Sequence, residues 1–284
     1  MMQALSVVTF LLGFAHAQIN VIDLTHSHDD DAIYWPGNPQ YNFTVINRGI
    51  SAGGYWYESN SFATAEHGGT HIDAPSHFAQ NRNRVDQIPI SRLVGPGVVI
   101  NVKDKAAADP DYRVTMEDLN AWEDVHGRIP AGAIVLMNSG WSKGYPNKTL
   151  VFGTKNVTQP STFHFPGFHE SAVDWLVKNR NIHVVGVDTP STDYGQSTTY
   201  PVHVILGEAD IAGVENVAYL DLLPESGSIV YVAAIKLHDG SGVQARVFAT
   251  TQPQGGTTGA APVHAVFMST IVSTVVFVQM LGSL

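Results

Sequence analysis

Apolar residues in this chain gather in short β-branched runs rather than in long amphipathic stripes. Runs at 98–102, 133–137, 183–187, 228–235 and 245–250, punctuated by Gly, Pro, Asn or Asp, predict strands. Two segments carry helical spacing instead. Met116, Leu119 and Trp122 follow Thr115, a good N-cap, with Asp118 three residues on to complete a capping box. Ala172, Val173, Leu176 and Val177 give a second helical face. Strands outnumber helices, and no repeat or Pro/Ser linker interrupts residues 18–251, so the pattern predicts one α/β domain there. The Gly-rich polar stretch 252–262 reads as a linker.

The two ends depart from this pattern. Residues 4–15 are an apolar run followed by Ala15-His16-Ala17, a small-x-small cleavage signal, so 1–17 reads as a signal peptide, although its start lacks Lys or Arg. Residues 263–284 form a hydrophobic tail, uncharged to the last residue and without the basic flank expected of a membrane span. With Gly255, Gly256 and Thr257 upstream, the layout matches a GPI attachment signal near 255–257. Asn42, Asn147 and Asn156 each begin a glycosylation sequon. Together these features predict a secreted glycoprotein, or one held on the outer face of the plasma membrane by a C-terminal lipid anchor.

Composition narrows the chemistry. Only 14% of the residues are charged and the net charge is −10, which excludes a nucleic-acid-coating role. The chain has no cysteine, so disulfides, thiolate nucleophiles and thiolate metal sites are excluded together. It has 13 histidines, and three of them fall with a carboxylate in the eleven-residue segment His67-Gly68-Gly69-Thr70-His71-Ile72-Asp73-Ala74-Pro75-Ser76-His77. A purely structural segment rarely holds such a density. Imidazole nitrogen and carboxylate oxygen suit zinc or manganese, and a carboxylate among imidazoles can bridge two ions. Gly68, Gly69 and Pro75 argue for a tight non-helical backbone, which excludes a helical zincin site; neither a nucleophile elbow nor a phosphate loop is present.

Other candidates weigh less. His26 and His28 beside Asp29, Asp30 and Asp31 read as a solvated loop rather than a second metal site. His164 and His169 read as packing or surface residues rather than parts of a catalytic lid. Asp188 could orient a ligand histidine or simply form a turn at a strand end.

The pattern His-x-Gly-Thr-His-x-Asp-x-Pro-x-His resembles the signature of the cyclase-like metal-dependent hydrolases, the family of bacterial kynurenine formamidase and isatin hydrolase. The likeness extends to Tyr34-Trp35-Pro36-Gly37, Asn138-Ser139-Gly140-Trp141, Gly186-Val187-Asp188-Thr189-Pro190, His203 through Glu215, and Asp239-Gly240-Ser241. The resemblance implies a mixed β-sheet or barrel-like core with flanking helices, of the swivelling β/β/α kind. It implies two divalent ions, zinc favoured and manganese next. His67, His71 and Asp73 would be ligands, with Asp73 bridging, and His203 and Glu215 would hold the second ion. It gives His77 the acid/base role and Trp35 a place in the substrate pocket. The implied reaction is hydrolysis of a small amide, N-formylkynurenine or a cyclic amide such as isatin, by a homodimer or larger homo-oligomer. Glu215 stands where the isatin branch tends to carry an amide, which leans toward a two-metal, formamidase-like site. The competing expectation is a catalytically inactive cell-surface binding protein that keeps the metal scaffold.

Overall fold

The computed structural model describes residues 19–252, so the expected signal peptide, the hydrophobic tail and all but the first residue of the linker lie outside the described residues. In chain order the strands are β1 (Asn20–Asp23), β2 (Asn42–Ile50), β3 (Trp56–Ala63), β4 (His71–Asp73), β5 (Val94–Asn101), β6 (Arg113–Val114), β7 (Ala133–Asn138), β8 (Gly167–Phe168), β9 (Ile182–Val187), β10 (Ala212–Glu215), β11 (Ser228–Ala234) and β12 (Gly242–Thr251). The helices are α1 (Lys103–Ala108), α2 (Met116–His126), α3 (Lys148–Val151), α4 (Glu170–Asn179) and α5 (Pro201–Glu208). All five expected strands and both expected helices are present. Thr115 and Asp118 form the capping box that starts α2.

Eight strands share one mixed sheet in the order β1-β12-β11-β5-β7-β9-β10-β4, and β4 pairs in addition with β12. That extra pairing closes seven strands into a barrel. The length of β12 allows it, because its first residues, 242–244, pair with β4 and its last, 248–251, pair with β1. Strands β5, β7, β9 and β10 run parallel, whereas β4 is antiparallel to both of its neighbours.

The central parallel strands are covered on both faces, which is why they read as continuous apolar runs. Val99, Ile134, Leu136, Val184, Val214 and Val230 pack inside the barrel with Ile72, Val243 and Val247. The residues between them, Val98, Ile100, Val135, Met137, Val185 and Val187, face outward to Leu119 and Trp122 of α2, Val173 and Leu176 of α4, and Val202 and Leu206 of α5. Each such side chain contributes about 1.5–3 kcal/mol of burial, so both faces of the barrel wall are firmly held. A third cluster of Ile33, Val151, Phe152, Phe163 and Phe165, with Trp35, Trp141 and Tyr145 against it, builds a wall outside the barrel. Strands β2 and β3 form a hairpin that pairs with no other described strand.

Candidate metal centre

Strand β4 is only three residues long, yet it positions the centre. Alternation along a strand sends successive side chains to opposite faces, so Ile72 enters the barrel interior while His71 and Asp73 face outward. Antiparallel pairing places Glu215 of β10 opposite His71, and Gly213 and Gly242 opposite Asp73. His203 arrives from α5, and His67 from the turn before β4. Two glycines make room: a Cβ on Gly68 would strike the Tyr34 ring, and one on Gly242 would strike the His67 ring.

The resulting side chains form two groups that share Asp73: His67, His71 and Asp73, and Asp73, His203 and Glu215. Asp73 Oδ1 lies 2.6 Å from His67 Nδ1 and 3.2 Å from His71 Nε2, while Oδ2 lies 3.4 Å from His203 Nε2. Glu215 reaches His203 Nε2 at 3.1 Å and His71 Nε2 at 3.5 Å. Apart from His67, which is partly exposed, these residues are buried.

In each ring the nitrogen turned away from the centre has its own partner. His71 Nδ1–H donates to Gly69 O at 3.0 Å. His203 Nδ1–H donates to Asp193 Oδ2 at 2.7 Å. His67 Nε2–H donates to Ser241 Oγ at 3.0 Å, whose hydroxyl in turn donates to Glu66 at 2.6 Å. Such outer hydrogen bonds fix the tautomer of a metal-ligating imidazole and leave the inward nitrogen as a lone-pair donor. Asp193 also accepts from the backbone N–H groups of Val202 and His203, so one buried carboxylate fastens both the start of α5 and the ring it carries.

The two carboxylates demand positive charge from their surroundings. Burial works against the charged form of His71, yet Asp73 and Glu215 raise its pKa to about 9. His203 is likewise raised, against burial, by Asp193, Asp73 and Glu215. Burial alone would raise the Asp73 carboxyl, but His67, His203 and His71 hold it well below the usual range. Glu215 is raised by burial and then by the charge of Asp73. This donor set, with imidazole nitrogens and carboxylate oxygens aimed at shared points and backed by outer acceptors, fits a divalent metal, whose charge would take the place of the ring protons that the carboxylates otherwise favour.

The centre borders a cavity of about 340 Å³. Trp35, Phe78 and Tyr200 line its apolar side, and Ser191 and Asn216 add polar groups. Trp35 is held edge-on by Phe163 at 5.3 Å and Tyr200 at 6.3 Å. His77, in the short 3-10 turn Pro75–His77, stacks on His67 with ring centroids 3.9 Å apart and is exposed along its outer edge. Protein packed around its inner side lowers its pKa to about 4, against the opposing pull of Asp73, so the ring is neutral at pH 7.

The expected site residues Trp35, His67, His71, Asp73, His77, His203 and Glu215 thus all border one cavity. Asp188 orients no histidine. Its carboxylate accepts from Ser139 N at 3.1 Å, from the Ser139 hydroxyl at 2.5 Å and from Trp141 N at 3.0 Å, tying the ends of β7 and β9 together. Asp193, five residues later, is the carboxylate that orients a histidine, and nothing in the local sequence separates it from a turn-forming aspartate. His26 to Asp31 form a loop with Asp29, Asp30 and Asp31 exposed, as expected, but the two imidazoles are partly buried. His26 stacks on Tyr145 at 3.8 Å, and His28 sits 3.2 Å from both the Tyr34 hydroxyl and Thr64 Oγ1. His169 caps α4, and His164 pairs with Asp111 at 2.7 Å, both outside the cavity lining.

Comparison with known proteins agrees with this geometry. The Cyclase family model matches residues 22–194. The isatin hydrolase of Roseibium aggregatum is 32% identical over 204 residues, covering 69% of this chain and 76% of that protein. The kynurenine formamidase of Salinibacter ruber is 24% identical over 210 residues, covering 72% and 85%. The solved structure of isatin hydrolase A from Ralstonia solanacearum superposes with a TM-score of 0.76 at 33% identity, covering 88% of this chain and all of that one. Barrel, buried His/Asp/Glu centre and sequence similarity lead to one assignment: the chain belongs to the Cyclase family.

Proposed function

We propose that the protein is a metal-dependent hydrolase of small amides whose nitrogen is attached to an aromatic ring, with N-formylkynurenine and isatin as model substrates. The observation that carries this reading is the pair of ligand groups sharing Asp73 in the lining of a cavity that Trp35, Phe78 and Tyr200 also line. His67, His71 and Asp73 would hold one divalent ion and Asp73, His203 and Glu215 a second, zinc being favoured and manganese an alternative. A metal bound there supplies Lewis-acid polarisation of a carbonyl and acidifies water to near neutrality.

The remaining steps fall to the chain's own side chains. Trp35, Phe78 and Tyr200 pack against the aromatic part of the substrate and keep bulk water from that side of the amide. His77, neutral and open to the cavity, takes a proton at a ring nitrogen as the water oxygen bonds to the carbonyl carbon. It returns that proton to the amide nitrogen as the C–N bond breaks. The 32% identity to an isatin hydrolase favours a cyclic amide, whereas the second carboxylate, Glu215, favours a formamidase-like pair of cations.

The proposed setting is extracellular, with a cleaved signal peptide and a GPI anchor. It is supported by the two terminal segments and by the exposure of all three sequon residues, Asn42, Asn147 and Asn156. Turnover of N-formylkynurenine and isatin by the purified full chain, with metal content measured on the same sample, tests the activity. Cleavage of either substrate that is lost on chelation and regained with zinc supports the reading. Metal without turnover of any amide or lactam would replace it with a binding protein on a metal scaffold.

A further inference from the structure

Tyr200 enters the cavity wall on an unusual backbone. Its φ is 49° and its ψ 47°, left-handed, immediately before Pro201. A bulky side chain disfavours that conformation, and a following proline pushes the chain toward extended geometry instead. Of the six described non-glycine residues with positive φ, four are Asn or Asp, which tolerate it, and the other two are Tyr200 and Tyr219. The conformation of Tyr200 is firmly held. Its N–H donates to Ser197 Oγ at 3.2 Å, Ser197 Oγ lies 3.4 Å from Asp193 Oδ1, and its carbonyl accepts from Val204 N at 3.1 Å. Asp193 is also the carboxylate behind His203 Nδ1, so one anchor sets a ligand imidazole and the tyrosine three residues before it. Strain held in this way beside a cavity points to a side chain with a task.

The hydroxyl of Tyr200 has that task open. Its ring stands 5.5 Å from Phe78, 6.0 Å from His203 and 6.3 Å from Trp35, centroid to centroid. A phenol set among rings usually bonds its O–H, as Tyr34 does with Thr64 and Tyr145 with Ile33 N. The Tyr200 hydroxyl bonds no described residue, although its backbone N–H is satisfied. Other polar side chains of the lining are already engaged: Ser191 Oγ accepts from Asp193 N at 3.2 Å, and Asn216 Nδ2 donates to Gly69 O at 3.1 Å. Asn38 alone shares the open state, since Gln40 bonds its main-chain carbonyl and not its carboxamide. No Lys or Arg is among the described residues of the lining. The donors on offer to a substrate are therefore an O–H and an amide N–H, which suit a neutral oxygen better than a carboxylate.

We propose that Tyr200 determines specificity, its hydroxyl donating a hydrogen bond to a neutral ketone oxygen carried on the substrate's aromatic ring beside the amide nitrogen. The inference rests on the amide-hydrolase reading given above. Tyr200 precedes the ligand His203 by one helical turn, so its ring stands next to the metal centre. An oxygen ortho to the amide nitrogen comes to that neighbourhood when the amide carbonyl meets the metal. N-formylkynurenine and isatin share such a ketone, although one is an open amide and the other cyclic, so one donor serves both. An aromatic amide without the ketone leaves the Tyr200 hydroxyl unpaired and is disfavoured for that reason.

N-formyl-2-acetylaniline and N-formylaniline differ only in the ketone, as do their amine products, 2-aminoacetophenone and aniline. The test compares kcat/KM for the two amides and, by isothermal titration, Kd for the two amines, on the zinc-loaded full chain. Wild type is expected to favour the ketone-bearing member of each pair by about tenfold, the size of one hydrogen bond. Tyr200→Phe keeps the ring and its packing, and its preference is expected to fall to within about twofold with metal content unchanged. Asn38→Ala is expected to keep the preference. A preference that survives Tyr200→Phe, one that vanishes in Asn38→Ala alone, or equal or undetectable binding of the two amines by wild type would each overturn the proposal. A Tyr200-dependent preference in binding without turnover of either amide would uphold the proposed hydrogen bond and overturn the hydrolase reading instead.

Discussion

Asp73 belongs to both ligand groups, whereas His77 belongs to neither, and this difference makes two substitutions diagnostic. Asp73→Ala removes the shared carboxylate and is expected to abolish binding at both groups, read as loss of metal after gel filtration. His77→Ala is expected to keep the metal and lose ~10²–10⁴-fold in kcat. Unchanged turnover in His77→Ala would remove the acid/base assignment. Supporting residues predict smaller effects. Asp193→Asn keeps the size of the side chain but removes the charged acceptor behind His203 Nδ1, so metal affinity should fall ~10–100-fold while most of the fold is kept. Gly242→Ala drives a methyl group into the His67 ring and should weaken metal binding by displacing that ligand, with every ligand residue retained. Isothermal titration with zinc measures both. At this scale, legibility followed distance along the chain. His67, His71, Asp73 and His77 fall in one segment and declare themselves. His203, Glu215 and Ser241 are reachable only through the family resemblance, and Asp193, Glu66 and Gly242 give no signal because folding is what brings them to the centre.

Elements show a similar division. Strands buried on both faces, such as β7, are conspicuous because each of their residues must be apolar. Strands β4 and β10 are three and four residues long and carry ligands as well as core residues, so their alternation is too short to read. The hairpin was hidden for a different reason: its apolar rows alternate with Ser, Thr and Asn and are interrupted by a bulge. The connection after β7 is held by Asp188, which accepts from Ser139 and Trp141 and so steadies the segment that carries Trp141 and Tyr145. Burial raises this carboxyl to about 6, against those hydrogen bonds, so it remains ionised at pH 7. Asp188→Asn would turn an amide N–H toward donors that need an acceptor. The expected loss is about 1–3 kcal/mol, read as a lower urea midpoint with an unchanged slope. A loss below a few tenths of a kcal/mol would mean that the segment is held by its aromatic packing alone.

For the molecule as a whole, pH dependence combines opposing groups. Burial lowers His26 to about 4, and its Nε2 has no hydrogen-bond partner. The unfolded chain therefore takes up a proton near pH 6.5 that the folded chain refuses until about 4. Its contribution is fully present above 6.5 and is lost as the pH falls through that window. Asp188 has the opposite sign: its folded pKa, about 6, exceeds the ordinary 3.8, so its contribution is present below 3.8 and lost as the pH rises through 6. Between pH 4 and 6 the two slopes oppose each other. His26→Phe keeps a ring against Tyr145, whose stacking distance of 3.8 Å is that of a direct contact, and removes only the titration. The stability difference between this variant and wild type should therefore grow in the variant's favour as the pH falls from 6.5 to 4. With the imidazole only partly buried, solvent screening brings the expected gain to about 1–2 kcal/mol. Urea titrations of both proteins at pH 7, 5.5 and 4.5, in chelator so that metal release does not enter, measure that difference. A difference that stays constant across the three values would mean that the His26 ring gains access to water, and a proton, before the chain unfolds.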